Sequence, residues 1–384
     1  MKILILGGDG YLGWPTAMYF SKRGHRVAIA DSFVKRKWEM ERGIEPLIPI
    51  TPLYRRIKYW KEVTDKNIKL YVGDMTNARF VYKLLEQTLP DAIIHYAEQP
   101  SAPFSMVDRD HAISTQTNNI VGTLNLLFGV KKFCPNAHIV KLGTMGEYGT
   151  PNIDIEEGFI EIKHNGRKDM LPFPKQPFSF YHLSKVHDSH NIQFTCKIWG
   201  LKATDLNQGV VYGIDTEETS LHPHLNTSFH YDEIFGTVLN RFCVQAVAGI
   251  PLTVYGAGTQ KRAYLNIVDT MQCVELAVLN PPSKAEYRVF NQFTEVFSIN
   301  ELAHLVKDAA KQFGYKVKID HLANPRIEQE DHYYNPRHKK LTELGLKPHN
   351  LSDILLDQVM KTVSSAKYRI DTDIIYPTIK WRTD

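Results

Sequence analysis

Lys2-Ile3-Leu4-Ile5-Leu6-Gly7-Gly8-Asp9-Gly10-Tyr11-Leu12-Gly13 decides how this chain folds. The opening run is short, apolar and partly β-branched, and reads as a buried strand. Glycines at 7, 10 and 13 follow in a G-x-x-G-x-x-G spacing, and Trp14 to Lys22 then reads as a helix that stops at Gly24. Glycines so placed let the backbone turn tightly, approach a pyrophosphate and pack the helix on the strand. The helix start offers free N–H groups and a positive dipole end to phosphate. A second strand, Arg26 to Ala30, ends at Asp31, about twenty residues past the loop, where a carboxylate binds the adenosine ribose hydroxyls of a dinucleotide. Asp31 favours NAD over NADP, because it would repel a 2′-phosphate. Lys35-Arg36-Lys37 pulls the other way, since a basic run rewards one. The competing reading is a glycine-rich turn in a flavodoxin-like protein.

Further strands follow the same logic. Ile68 to Val72 ends at Gly73-Asp74, where Asp74 is placed to meet adenine. Ala92 to Ala97 is the fourth strand, and Ala137 to Leu142 is the fifth, ending at Gly143-Thr144. Each ends in small or polar residues, as where ligands bind at the carboxyl ends of a parallel sheet. Helical patterns such as Asn119 to Lys132 separate them, which predicts a Rossmann-type, doubly wound α/β sheet. The 384 residues hold 43% hydrophobic and 23% charged residues, the balance of a globular enzyme. No apolar run approaches the ~18 residues of a membrane span. A net charge of +4 is too small to imply a nucleic-acid partner. Cys134, Cys196, Cys243 and Cys273 are widely spaced and read as buried free thiols in a reducing compartment. There are 16 histidines, but His182, His187 and His190 lack a metal-ligand spacing, so no metal is expected.

Ser179-Phe180-Tyr181-His182-Leu183-Ser184-Lys185 sets a tyrosine and a lysine on one face of a helix. An ammonium near the Tyr181 hydroxyl would favour phenolate and make it a base for a sugar hydroxyl. Past about residue 206 the signals change. Asn207-Gln208-Gly209-Val210-Val211-Tyr212-Gly213 reads as a strand running into a substrate loop, and Ser298 to Gly314 as an amphipathic helix. Arg262 and Arg326 are candidates for a diphosphate, whose oxygens suit guanidinium forks; paired surface arginines are the alternative. The division expected is a cofactor domain over 1–206 with a returning segment at about 236–280. A smaller, discontinuous α/β substrate domain takes 207–235 and 281–384.

Gly7-x-x-Gly10-x-x-Gly13, Asp31, Asn119-Ile120-Val121-Gly122-Thr123, Thr144 and Tyr181-x-x-x-Lys185 together resemble the extended short-chain dehydrogenase/reductase superfamily, in its nucleotide-sugar-modifying branch. Longer strings narrow the resemblance. Lys141-Leu142-Gly143-Thr144-Met145-Gly146-Glu147-Tyr148-Gly149-Thr150, Phe180 to Asn191, Ala203 to Gly213 and His332-Tyr333-Tyr334-Asn335 are similar to the UDP-sulfoquinovose synthase family, over nearly the whole chain.

The resemblance implies that UDP-glucose and sulfite become UDP-sulfoquinovose with tightly bound NAD. The steps are C4 oxidation, C5/C6 elimination, sulfite addition at C6 and C4 reduction. Tyr181 would take the C4 hydroxyl proton, Lys185 would hold the nicotinamide ribose and depress the Tyr181 pKa, and Thr144 would hydrogen-bond the C4 oxygen. Cofactor contacts are expected from Gly7, Asp9, Gly10, Tyr11, Leu12 and Gly13, and from Asp31, Ser32 and Arg36. Further ones are expected from Asp74, Met75, Ala97, Asn119, Tyr181 and Lys185. The sugar nucleotide is expected to meet Gln99, Ser101, Thr144 and Asn207, and also Gln208, Tyr255, Arg262 and Arg326. Hexose 4,6-dehydratases carry Asp-Glu directly after the catalytic threonine; here Met145-Gly146 stands there, so His182 and Glu147 are the acid and base candidates. Pro100 stands where plant members of the family carry arginine, which removes one anion contact. A cytoplasmic, prokaryotic enzyme is expected, paired into a homodimer or higher oligomer through 103–133 and 181–199. A UDP-hexose 4-epimerase, a 4,6-dehydratase-like enzyme and an NAD-sensing regulator stay open as alternatives.

Overall fold

The structure is a computed structural model and describes residues 1–326, 332–351 and 356–381. Lys2–Leu6 forms the first strand, β1, with only Lys2 exposed. The chain turns out of it at Gly7, whose φ of +87° is one that side-chain-bearing residues rarely adopt. A Cβ on Gly13 would fall 2.0 Å from the Gly7 carbonyl oxygen, so only glycine lets the helix Gly13–Lys22 start this close to the strand.

β2 (Arg26–Asp31), β3 (Ile68–Val72), β4 (Ala92–His95), β5 (His138–Thr144), β6 (Lys202–Gln208) and β7 (Tyr287–Gln292) complete a seven-stranded sheet in the order β7-β6-β5-β4-β1-β2-β3. Every pairing in it is parallel. The order reverses between β1 and β4, which opens a crevice at the carboxyl ends of the strands. This is the doubly wound arrangement expected.

A second apolar core forms where the helices Val238–Ala248, Ile299–Gln312 and Leu356–Ser365 pack together. Beside them lie a parallel pair, Leu252–Tyr255 with Ile319–Leu322, and a three-stranded sheet of Val210–Tyr212, Lys261–Asn266 and Glu295–Ser298. The expected amphipathic helix is Ile299–Gln312, opened by a capping box between Ser298 and Glu301. The two units interleave more than the sequence division implied. β7 returns to the central sheet from within 281–384, and the helix Val238–Ala248, within 236–280, packs in the second core. The helix Ile267–Leu279 does cover the first unit's core through Met271, Val274 and Val278.

The helix expected over 119–132 is broken. Thr117–Val121 forms a π turn before the helix Gly122–Phe133. Asn119 sits in that turn, fully buried. Its side chain accepts from Gln99 N at 2.7 Å and donates to Ser184 Oγ at 2.8 Å. Wide turns of this kind re-aim a side chain at a functional site, and here the turn ties β4's exit loop to the helix that carries Tyr181.

Candidate active site

Both units line one cleft of about 550 Å³. At its cofactor end lie Gly7, Gly10, Tyr11, Leu12 and Gly13, with Asp31, Ser32, Asp74, Met75 and Ala97 around them. The Asp31 carboxylate accepts from Asp9 N at 2.8 Å and Phe33 N at 2.7 Å, which fixes the loop against β2. Burial raises its pKa, against those two N–H groups. The basic run beside it is already committed. Lys35 pairs with Glu39 at 2.6 Å, Arg36 with Asp9 at 2.8 Å and Lys37 with Glu41 at 3.5 Å. Arg56, wholly buried, holds the other Asp9 oxygen. So the side chains of Asp9 and Arg36 hold each other, Lys35 is held by Glu39, and Lys37 is exposed outside the cleft lining. A Cβ on Gly7 would meet the Tyr96 carbonyl at 2.8 Å, so the loop is pressed as closely against β4 as a bare backbone allows. A backbone-lined cradle with one buried carboxylate at its far end fits NAD.

The reaction centre gathers at the end of β5 and the start of the helix Phe180–Trp199. Ser179 caps that helix, accepting from His182 N at 3.2 Å. Tyr181 lines the cleft with its hydroxyl bonded to the Thr144 side chain, and its backbone N–H donates to Ser105 Oγ at 3.0 Å. Thr144 Oγ1 also accepts from Gly146 N at 3.1 Å, so its orientation is set.

Lys185 is held on two sides. Its ammonium donates to the Leu142 carbonyl at 2.8 Å, touches the Glu98 carboxylate, and stands 5.8 Å from the centroid of the Tyr181 ring. Burial, then the Glu147 charge, pushes the Tyr181 phenol above its ordinary range, while Thr144 and Lys141 pull it down. Lys185 is not among the charges that lower it; its ammonium is held by the Leu142 carbonyl and Glu98.

His182 and Glu147, the two acid and base candidates, part company. A Cβ on Gly146 would fall 2.3 Å from His182 Nε2, so the imidazole fills the space that a side chain at 146 would take. Its Nδ1 lies 3.0 Å from Ser179 Oγ, and the residue lines the cleft. Glu147 is wholly buried behind the wall. It pairs with Lys141 at 3.2 Å, touches Lys175, and accepts from Ser189 Oγ at 3.0 Å. Burial raises its pKa, but Lys141 and Lys175 more than offset this and hold it at about 2. A carboxylate so held, buried and outside the cleft lining, is the less accessible of the two candidates.

Other expected contacts are tied into the structure around the cleft by their own hydrogen bonds. The Gln99 side chain folds back on Ser101, donating to its carbonyl and accepting from its N–H, both at 3.1 Å. Ser101 Oγ donates to the Ile234 carbonyl and accepts from Phe104 N. Asn207 donates to the Tyr148 hydroxyl at 2.7 Å and is buried, as is Asn119, the expected cofactor contact described above. Ser101, Thr144, Gln208, Tyr255, Arg262 and Arg326 line the cleft. Sequence reasoning missed Arg241, which lines it too. Its guanidinium lies 4.4 Å from the Tyr255 ring centroid and donates to the Thr253 carbonyl at 3.2 Å. The available signal was one arginine inside the apolar run Leu239 to Val247. Among the described residues there is no cluster of metal-ligating side chains and no helix long and apolar enough to cross a membrane.

Residues 3–291 match the NAD dependent epimerase/dehydratase family, and the chain belongs to it. A solved UDP-glucuronic acid 4-epimerase from Bacillus cereus, in complex with UDP-glucuronic acid and NAD, shares the fold at a TM-score of 0.69 and 18% identity, over 95% of this chain and 99% of that one. Nearer relatives refine this. The chloroplastic UDP-sulfoquinovose synthase of Spinacia oleracea is 56% identical over 99% of this chain and 79% of its own. That of Sulfolobus acidocaldarius is 43% identical over 100% and 98%. Within the wider family, the chain belongs to the UDP-sulfoquinovose synthases, and NAD is its cofactor.

Proposed function

We propose that this enzyme makes UDP-sulfoquinovose from UDP-glucose and sulfite. NAD, when bound, supplies the reversible oxidation of the sugar's C4 carbinol. Tyr181 takes the C4 hydroxyl proton, and Thr144 steadies the C4 oxygen as it becomes a carbonyl. The C4 ketone acidifies the C5 proton. His182 moves that proton and gives one to the departing C6 hydroxyl, which leaves as water. Sulfite adds through sulfur to C6 of the resulting enone, C5 regains a proton, and C4 is reduced again. The sum is UDP-glucose plus bisulfite giving the sulfonate and water, with no net change in the cofactor.

The observation that carries this reading is the His182 ring, which lines the cleft and fills the space that a side chain at 146 would take. Arg262 and Arg326, with Arg241, supply guanidinium groups toward the diphosphate. We read the sheet unit, including β7, as the cofactor domain and the second core as the sugar-nucleotide domain. A second copy is the partner we assign to the exposed Phe128, Phe194 and Ile198, which lie on the helices expected to pair. The four buried free cysteines suit a reducing cytoplasm.

The test is a mass spectrum of UDP-sugars after incubation with UDP-glucose and sulfite. A sulfonated UDP-hexose formed without added NAD supports the reading. Conversion to UDP-galactose without sulfonation would replace it with an epimerase.

A further inference from the structure

Behind Tyr181 the chain buries two ammonium groups, on Lys141 and Lys185, and partly buries a third, on Lys175, against four buried carboxyl groups, on Glu98, Glu147, Asp188 and Asp205. Most of these are paired with one another. Lys141 serves Glu147 and Asp205, and Lys175 serves Glu147. Asp205 also accepts from Ser189 Oγ and the Tyr287 hydroxyl, both at 2.7 Å. Both Asp188 oxygens lack a hydrogen-bond donor, and the residue acts on Lys141 and Lys185 through its charge. Glu98 is the carboxylate in contact with the Lys185 ammonium. It stands just past β4, its side chain is 2% exposed, and among the described residues its ion pairs are with Lys185 and His95. Neither of its oxygens accepts a hydrogen bond from a further group.

We propose that Glu98 is the positioning residue of Lys185: its carboxylate keeps the ammonium charged and seated at the Leu142 carbonyl, in the state that holds the cofactor's ribose. This rests on the reading of Lys185 as the nicotinamide-ribose contact. The surroundings set what such a partner works against. Burial draws the Lys185 pKa down, to about 8, against the Asp188 and Asp205 charges that raise it. From β5, Lys141 adds a like charge, and the neighbouring Tyr181 is a neutral phenol. His95 lies 3.5 Å from Glu98, but burial, then Lys185 and Lys141, push it down to about 3, so it stays neutral and does not compete for the carboxylate. A buried ammonium without an opposing charge sheds its proton, and the amine left behind is a weaker donor to a ribose hydroxyl. Glu98 thus acts on the cofactor through Lys185.

The test is Glu98→Gln in the NAD-loaded protein, dialysed at a series of pH values from neutral to alkaline, with retained nucleotide measured after acid precipitation. A carboxylate in contact with an ammonium favours its charged form, so removal of Glu98 should lower the pH at which NAD is released. We expect a downward shift of at least about one pH unit, a tenfold loss of retention at fixed pH within that window. Coincident release profiles for variant and wild type overturn the proposal, whatever the variant does to thermal stability. If Glu98→Gln does not fold, Glu98→Asp, which withdraws the carboxylate by one methylene, is read in the same way: a downward shift sustains the proposal and coincidence overturns it. The readout is bound nucleotide, so a failure to form sulfonated product would refute the proposed function without touching this result.

Discussion

Gly146→Ala tests the reaction centre at its tightest point. The added methyl would sit 2.3 Å from His182 Nε2, 2.4 Å from Cδ2 and 3.1 Å from Cε1. Carbon contacts settle near ~3.5 Å, so the ring must retreat by roughly 1 Å. It has little freedom to do so smoothly, because its Nδ1 lies 3.0 Å from Ser179 Oγ and its backbone N–H is the helix cap donor. Overpacking of this kind costs about 1–3 kcal/mol of stability, which a chain of this size survives. A displacement of ~1 Å in a reacting group costs on the order of 10²-fold in rate. We therefore expect sulfonated product to form about 10²-fold more slowly, with C4 oxidation, read as nicotinamide absorbance after UDP-glucose is added without sulfite, changed only a few-fold. His182→Ala should match it or exceed it, and the double variant should be no worse than His182→Ala alone. Wild-type product formation by Gly146→Ala, or losses that add in full in the double variant, would refute the reasoning.

Two further outcomes follow from the same geometry. Tyr181→Phe removes the phenol and leaves Thr144 held by Gly146 N, so folding should persist while C4 oxidation falls by about 10²–10⁴-fold; a smaller loss would move the base elsewhere. Glu147→Gln strips the anion from between Lys141 and Lys175, which should cost about 3–5 kcal/mol of stability with no separate effect on the chemistry of the protein that folds. The sign in acid follows from its depressed pKa. Glu147 is held at about 2 against an ordinary 4.5, so its contribution is full above the ordinary value and fades as pH falls toward about 2. Denaturant unfolding of wild type and Glu147→Gln should converge across that window, and a gap that stays constant through it would remove Glu147 from the account.

What could be read in advance was local, and what could not was set by partners distant in sequence. The strand, glycine loop, helix and Asp31 are contiguous, and each demands a backbone state that its own residues reveal. Tyr181 and Lys185 share a helix face by spacing alone. Yet spacing is silent on where an ammonium finds its charge, and Glu98, from the end of β4, decided that question for Lys185. The π turn at Thr117–Val121 was hidden for the same reason: Asn119 answers to Gln99 and Ser184, and no helical pattern records them. β7 escaped notice because Arg288, Asn291 and Gln292 dilute its apolar pattern and its one partner is β6, about eighty residues away in the chain. Position 146 lies between these cases. The sequence shows a missing carboxylate, and the fold shows an imidazole in its place. A glycine there is thus the counterpart of His182, and neither residue has its meaning without the other.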